Sequence, residues 1–139
     1  MQKILVIEDD AILRDELIMH LKNAGYEAEG VTDFSDPLTA MEAAGAALIL
    51  MDINLPGSNG EVLLKEFRHD HNEPVIMLTS RAGDLNEMLS MSYGADDYIT
   101  KPFNPAILLL RIAAVLKRST KTEGEKAIVG SSSVWRREA

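Results

Sequence analysis

No cysteine occurs in the 139 residues, which excludes disulfides, thiol nucleophiles and zinc sites built on sulfur. A chain so composed suits a reducing compartment, and a cytoplasmic protein is expected. Apolar runs of the ~20 residues needed to cross a bilayer are also missing, so no membrane association is expected. Residues 1–5 hold one lysine and lead into only four apolar residues before Glu8, a pattern that predicts no secretory leader. What is present is the composition of a folded domain, 46% hydrophobic and 26% charged, rather than of a disordered or membrane chain. At this length a chain buries roughly two-thirds of its unfolded surface and needs no staple.

Charge is unevenly divided. Residues 1–116 carry 8 basic and 19 acidic side chains, whereas residues 117–139 carry 6 basic and 3 acidic. A body that acidic repels a phosphate backbone and is by itself a poor nucleic-acid binder. From Ser119 onward the chain is rich in Ser, Thr, Gly, Lys and Glu, the composition of a linker. A domain of residues 1–118 followed by a linker or tail over 119–139 is the expected organisation.

Within the domain, short apolar runs alternate with amphipathic ones. Residues 3–7 (KILVI), 47–51 (ALILM), 75–78 (VIML) and 97–100 (DYIT) are apolar without alternation, as parallel strands covered on both faces should be. Residues 27–31 read as a weaker, more polar strand at an edge. Leu13, Leu17, Leu21 and Ala24 form a helical stripe ending at Gly25, and further helices fit 35–44, 60–69, 84–93 and 104–118. Five βα units with right-handed crossovers predict an α/β fold, a doubly wound sheet whose ligands bind at the carboxyl ends of the strands.

Those ends are where polar residues gather: Glu8-Asp9-Asp10 after the first strand, Asp52 after the third, Thr79-Ser80 after the fourth, and Thr100-Lys101-Pro102 after the fifth. Carboxylates converging from strands ~5 Å apart repel one another unless a cation sits among them. Hard oxygen ligands with open positions suit magnesium. A hydroxyl and an ammonium beside them complete what a phosphoryl group needs. Taken singly each feature is bland. Asp10 reads as the N-cap of the first helix, and a lone Lys-Pro or strand-end Thr means nothing; the joint placement at four strand ends carries the reading. His20, His69 and His71 read as solvated surface residues, and Met51 and Met77 as core filler.

The segments KILVIEDD (3–10), MDINLPGSNG (51–60), VIMLTS (75–80) and GADDYITKPF (94–103) resemble those of the receiver domain of two-component response regulators, most closely of the OmpR/PhoB-like subfamily. The resemblance covers essentially all of residues 1–118. It implies a flavodoxin-like (βα)5 fold, a parallel five-stranded sheet of order 2-1-3-4-5. Position by position it implies that Asp52 is the phosphoacceptor and that Glu8 and Asp9 are the acidic pair, Asp9 binding Mg2+ directly and Glu8 through water. It further implies that Asn54 lends its backbone carbonyl to the metal and that Lys101 pairs with the phosphoryl group. Thr79 and Tyr98 match the switch residues, and the bond before Pro102 is expected to be cis, as in other receivers.

The implied donor is a phosphohistidine on a sensor histidine kinase, the chain catalysing only its own phosphorylation and dephosphorylation. Activated members of the subfamily pair through a face from which this sequence keeps Asp96, Asp97, Arg111 and Arg118. The usual base of the fourth helix is missing, and Ile107 stands where an acid is usual, so a homodimer resting on apolar contact near Ile107 and Met88 is expected. The winged-helix output domain with which the subfamily continues is absent from these residues, so DNA is expected as a partner only through that missing domain. Two other classes fit less well. A haloacid-dehalogenase-type phosphatase wants an aspartate where Asn54 stands. A flavodoxin-like electron carrier wants a hydroxyl- and glycine-rich loop where Glu8-Asp9-Asp10 would repel the cofactor's phosphate.

Overall fold

A computed structural model of the chain describes residues 2–80 and 94–129, with side chains as far as Ser119. In chain order the elements are β1 (Lys3–Ile7), α1 (Ala11–Asn23), β2 (Glu27–Gly30), α2 (Pro37–Ala43), β3 (Leu48–Asp52), β4 (Asn54–Leu55), β5 (Ser58–Asn59), α3 (Gly60–Phe67), β6 (Val75–Thr79), β7 (Asp97–Thr100) and α4 (Pro105–Val129). Five strands form one parallel sheet in the order β2-β1-β3-β6-β7. Counting only these strands, that is the expected 2-1-3-4-5. The polar strand β2 closes one edge, where a half-solvated strand costs least. The helix expected over 84–93 lies outside the described residues.

Pleating divides each strand between two cores, because successive side chains leave opposite faces. Ile4, Val6, Leu48, Leu50, Ile76 and Leu78 meet Leu17 and Leu21 of α1 and Leu108, Ile112, Val115 and Leu116 of α4. Leu5, Ile7, Ile49, Met51, Val75 and Met77 meet Met41 of α2 and Leu63, Leu64 and Phe67 of α3. This two-sided burial is why β3 and β6 are buried at every position and read as unbroken apolar runs. Met51 and Met77 are core residues, fully covered.

Local signals set the helix starts. Asp10 accepts from the Ile12 and Leu13 amides and caps α1, as its bland reading has it. Asn104 does the same for Ala106 and Ile107 ahead of Pro105, which needs no amide partner at the first helical position.

Three sequence readings need correction. The antiparallel ribbon β4–β5 was not expected; Pro56-Gly57 makes its turn, Gly57 standing at φ 67°. The last helix does not stop at 118 but runs to Val129. No proline interrupts 119–129, and its Lys, Glu and Ala residues are strong helix formers, so a linker-like composition did not preclude helix. Finally, the histidines are not all solvated. His71 lies in a parallel stack on Phe67, 4.6 Å between ring centroids, with Glu42 3.4 Å from one ring nitrogen and Glu73 3.6 Å from the other. His20 is also three-quarters covered, 3.9 Å from Glu16.

Candidate functional site

The register of the parallel sheet brings the carboxyl ends of β1, β3, β6 and β7 side by side, and their next residues converge. Asp52 ends β3 and is buried, with 4% of its surface exposed; Glu8, one residue past β1, is 1% exposed. Asp9 is exposed beside them. One oxygen from each of the three carboxylates lies within 4.8 Å of the others. Lys101, just past β7, reaches across: its Nζ donates to Asp52 Oδ2 at 2.9 Å and to Glu8 Oε1 at 3.1 Å. Its backbone amide donates to the Thr79 carbonyl, extending the β6–β7 ladder by one residue, and the peptide bond to Pro102 is cis. Thr79 is buried at the end of β6.

The remaining oxygens are held by the backbone. The Asn54 amide donates to Asp52 Oδ1 at 3.0 Å, and the Asp10 amide to Glu8 Oε2 at 3.2 Å. The Asn54 side chain itself is exposed. Gly60 closes the site from below. A Cβ there would stand 2.5 Å from the Asp52 carbonyl oxygen and 2.9 Å from the Ile53 Cα, so the ribbon folds this tightly on β3 only because position 60 has no side chain.

Electrostatics follow from burial. Glu8 is pushed up from its usual 4.5 to about 7, chiefly because burial penalises its charge; the Asp10 amide opposes the shift and the Asp52 carboxylate adds to it. Burial works against the Lys101 ammonium too, but its bonds to Asp52 and Glu8 outweigh that and raise its pKa. One ammonium faces three carboxylates, so the cluster keeps an excess of negative charge open to solvent on the Asp9 side. An all-oxygen, partly exposed donor set of this kind fits a hard divalent ion such as Mg2+.

Other expected residues lie apart from this cluster. Tyr98 is half-buried on β7. Asp97 Oδ1 accepts from Arg111 Nη1 at 3.0 Å, and Arg118 Nη2 donates to the Asp96 carbonyl at 3.3 Å, so these charges meet within one chain. The Asp96 carboxylate binds Arg68 at 3.1 Å and the Val75 amide at 2.9 Å. That use of Asp96 went unread because Arg68 is 28 positions away. Ile107 is exposed, as is Leu110, while Met88 lies outside the described residues. Sequence reasoning also missed Gly60, whose sequence signal is its place at the end of MDINLPGSNG, and Arg14, which donates to the Glu8 carbonyl at 3.0 Å.

A parallel five-stranded sheet with helices on both faces and a lysine-bridged aspartate at its carboxyl edge defines a doubly wound α/β class of protein, and comparison gives the family. Residues 4–113 match the response regulator receiver domain family, to which this chain belongs. It is the receiver domain of a two-component response regulator, and its relatives include regulators of the OmpR/PhoB family. The chain is 38% identical over 125 residues to the sensory transduction protein RegX3 of Mycobacterium bovis, covering 90% of this chain and 55% of that protein. To the DNA-binding response regulator MtrA of Mycolicibacterium smegmatis it is 36% identical over 129 residues, covering 93% and 57%. It thus spans little more than half the length of these relatives. Among solved structures, a CheY-like receiver domain protein of Methanospirillum hungatei superimposes with a TM-score of 0.80 at 34% identity, covering 87% of this chain and 98% of the other. The BeF3-activated N-terminal receiver domain of Klebsiella pneumoniae RstA gives 0.77 at 32%, covering 82% and 97%. Among the described residues no helix is long and apolar enough to cross a membrane.

Proposed function

We propose that residues 1–118 accept a phosphoryl group on Asp52 from a phosphohistidine of a sensor kinase. The observation that carries this reading is the Lys101 ammonium bridging Asp52 and Glu8 with Asp9 alongside. An Asp52 oxygen attacks phosphorus in line as the P–N bond breaks, and the departing imidazole keeps that electron pair. No general base is needed, since a carboxylate is already a nucleophile. Lys101 stands where it neutralises one phosphoryl oxygen, and the Thr79 hydroxyl donates to another. Asp9 and Asp52 would hold Mg2+ with the Asn54 carbonyl, Glu8 acting through water, and the bound ion supplies further positive charge to the phosphoryl oxygens. A cavity of about 510 Å3 lined by Asp10, Ile12, Ser80, Lys101 and Phe103, among others, opens beside Lys101 at this edge. Beyond its own phosphorylation and dephosphorylation the domain turns over no substrate.

Phosphorylation draws Thr79 toward the phosphoryl group and turns Tyr98 inward, altering the face that β7 and α4 present. Two chains then pair on that face. The Asp97–Arg111 contact is exposed and worth roughly 0–1 kcal/mol, so apolar contact at Ile107 carries more of the pairing than charge does. The relative MtrA is named a DNA-binding response regulator, and any contact of this domain with DNA would run through an output domain outside these residues. Sedimentation with Mg2+ and beryllofluoride, which stands in for the phosphoryl group, is expected to show a two-fold dimer that salt weakens only modestly. A monomer at all concentrations, or dissociation as steep in salt as several ion pairs give, overturns the reading.

A further inference from the structure

Arg14, in the first turn and a half of α1, faces back toward the acidic strand end. Its Nη1 donates to the Glu8 carbonyl at 3.0 Å, and its backbone amide donates to the Asp10 carbonyl at 2.8 Å. No carboxylate lies within 4.0 Å of its guanidinium among the described residues, so this half-buried cation is not held by an ion pair. Its stem instead lies against β2 at Gly30, where a Cβ would stand 2.9 Å from Arg14 Cδ and 3.0 Å from Ile18 Cδ1. The missing side chain at position 30 is what lets the arginine lie flat between α1 and the sheet edge and reach the loop.

We propose that Arg14 is a positioning residue for the divalent-ion site: it clamps the main chain at Glu8, so that Glu8 and Asp9 stay turned toward Asp52 before an ion arrives. This rests on the Mg2+ reading of the Glu8, Asp9 and Asp52 cluster. Those three carboxylates lie within 4.8 Å of one another. Among the described residues the one ammonium at the cluster bonds Glu8 and Asp52, which leaves the repulsion on Asp9 and its loop uncompensated. The Asp10 amide and Lys101 restrain the Glu8 side chain, and Arg14 restrains its backbone. Groups that orient metal ligands without touching the metal commonly alter affinity by about 10- to 100-fold when removed.

Position and charge predict opposite signs. Removing a cation near an acidic site strengthens Mg2+ binding if Arg14 acts through its charge, and weakens it if Arg14 acts by holding the loop. Calorimetric Mg2+ titration of the unphosphorylated chain separates the two. Arg14→Ala is expected to weaken binding about tenfold, at the lower end of the range for orienting groups, and Arg14→Lys to weaken it less. Gly30→Ala keeps the charge but displaces the arginine stem, and is expected to weaken binding in the same direction. The double variant should be no weaker than Arg14→Ala alone, since both changes break one contact. Tighter binding by Arg14→Ala, unchanged affinity in both single variants, or strictly additive losses overturns the inference. Wild-type protein that does not bind Mg2+ overturns the site reading itself, and the inference with it.

Discussion

Replacing Glu8 by glutamine should stabilise the metal-free protein above neutral pH, and its size can be worked from the site. Buried Glu8 holds its proton to about pH 7, against 4.5 for an ordinary glutamate. Between those values the folded chain keeps a proton that the unfolded chain releases. The stability that comes from holding it is therefore complete below about pH 4.5 and lost as pH rises through 7. At about 1.4 kcal/mol per pH unit, the gap corresponds to roughly 3 kcal/mol. Glutamine cannot ionise, yet its carbonyl can still accept from the Asp10 amide or Lys101, so Glu8→Gln should remove this slope while keeping the site's shape. Urea unfolding in chelator from pH 5 to 8.5 measures it, and the difference between wild type and variant cancels the histidines and surface carboxylates. Added Mg2+ favours the ionised acid and should recover stability in the wild type at pH 8 more than at pH 5.5. A wild-type curve flat or rising over this range relative to the variant would refute the reasoning.

Gly60→Ala pushes a methyl group into the Asp52 and Ile53 backbone, where nothing can swing aside; a loss of about 2–3 kcal/mol in urea unfolding is expected, together with slower phosphorylation as the aspartate shifts. An alanine with wild-type stability would show the contact to be soft. Lys101→Ala leaves Glu8 and Asp52 facing each other without an ammonium. The cost is expected to be at most about 3 kcal/mol, at the low end for a broken buried pair because one acid takes up a proton. Acetyl phosphate labelling should fall severely in that variant, and unchanged labelling would remove Lys101 from the chemistry.

What could be read in the sequence was whatever local pattern determines. Ile49, Leu50 and Met51 are buried on both sides of the sheet, so β3 announced itself as an unbroken apolar run, and Glu27 and Glu29 marked β2 as an edge. The strand-end acids, Thr79 and Lys101 followed from strand order once the parallel sheet was inferred. Contacts between distant segments were not legible. Arg68 with Asp96, His71 on Phe67 with Glu42 nearby, and Arg14 under Gly30 all depend on how separate elements are brought together, which no periodicity records. The two-residue strands of the β4–β5 ribbon are too short to have a period, although Pro56-Gly57 marks their turn. The end of α4 was misplaced because Ser, Thr and Gly among Lys and Glu read equally as linker or as helix.

The central claim is that Asp52 is the residue that takes the phosphoryl group. Intact-mass measurement after incubation with acetyl phosphate and Mg2+ tests it directly in wild type and Asp52→Asn, a change that keeps the shape of the side chain. One phosphoryl group on the wild type, dependent on Mg2+ and lost in the variant, is the expected result; the same adduct on the folded variant would contradict the account.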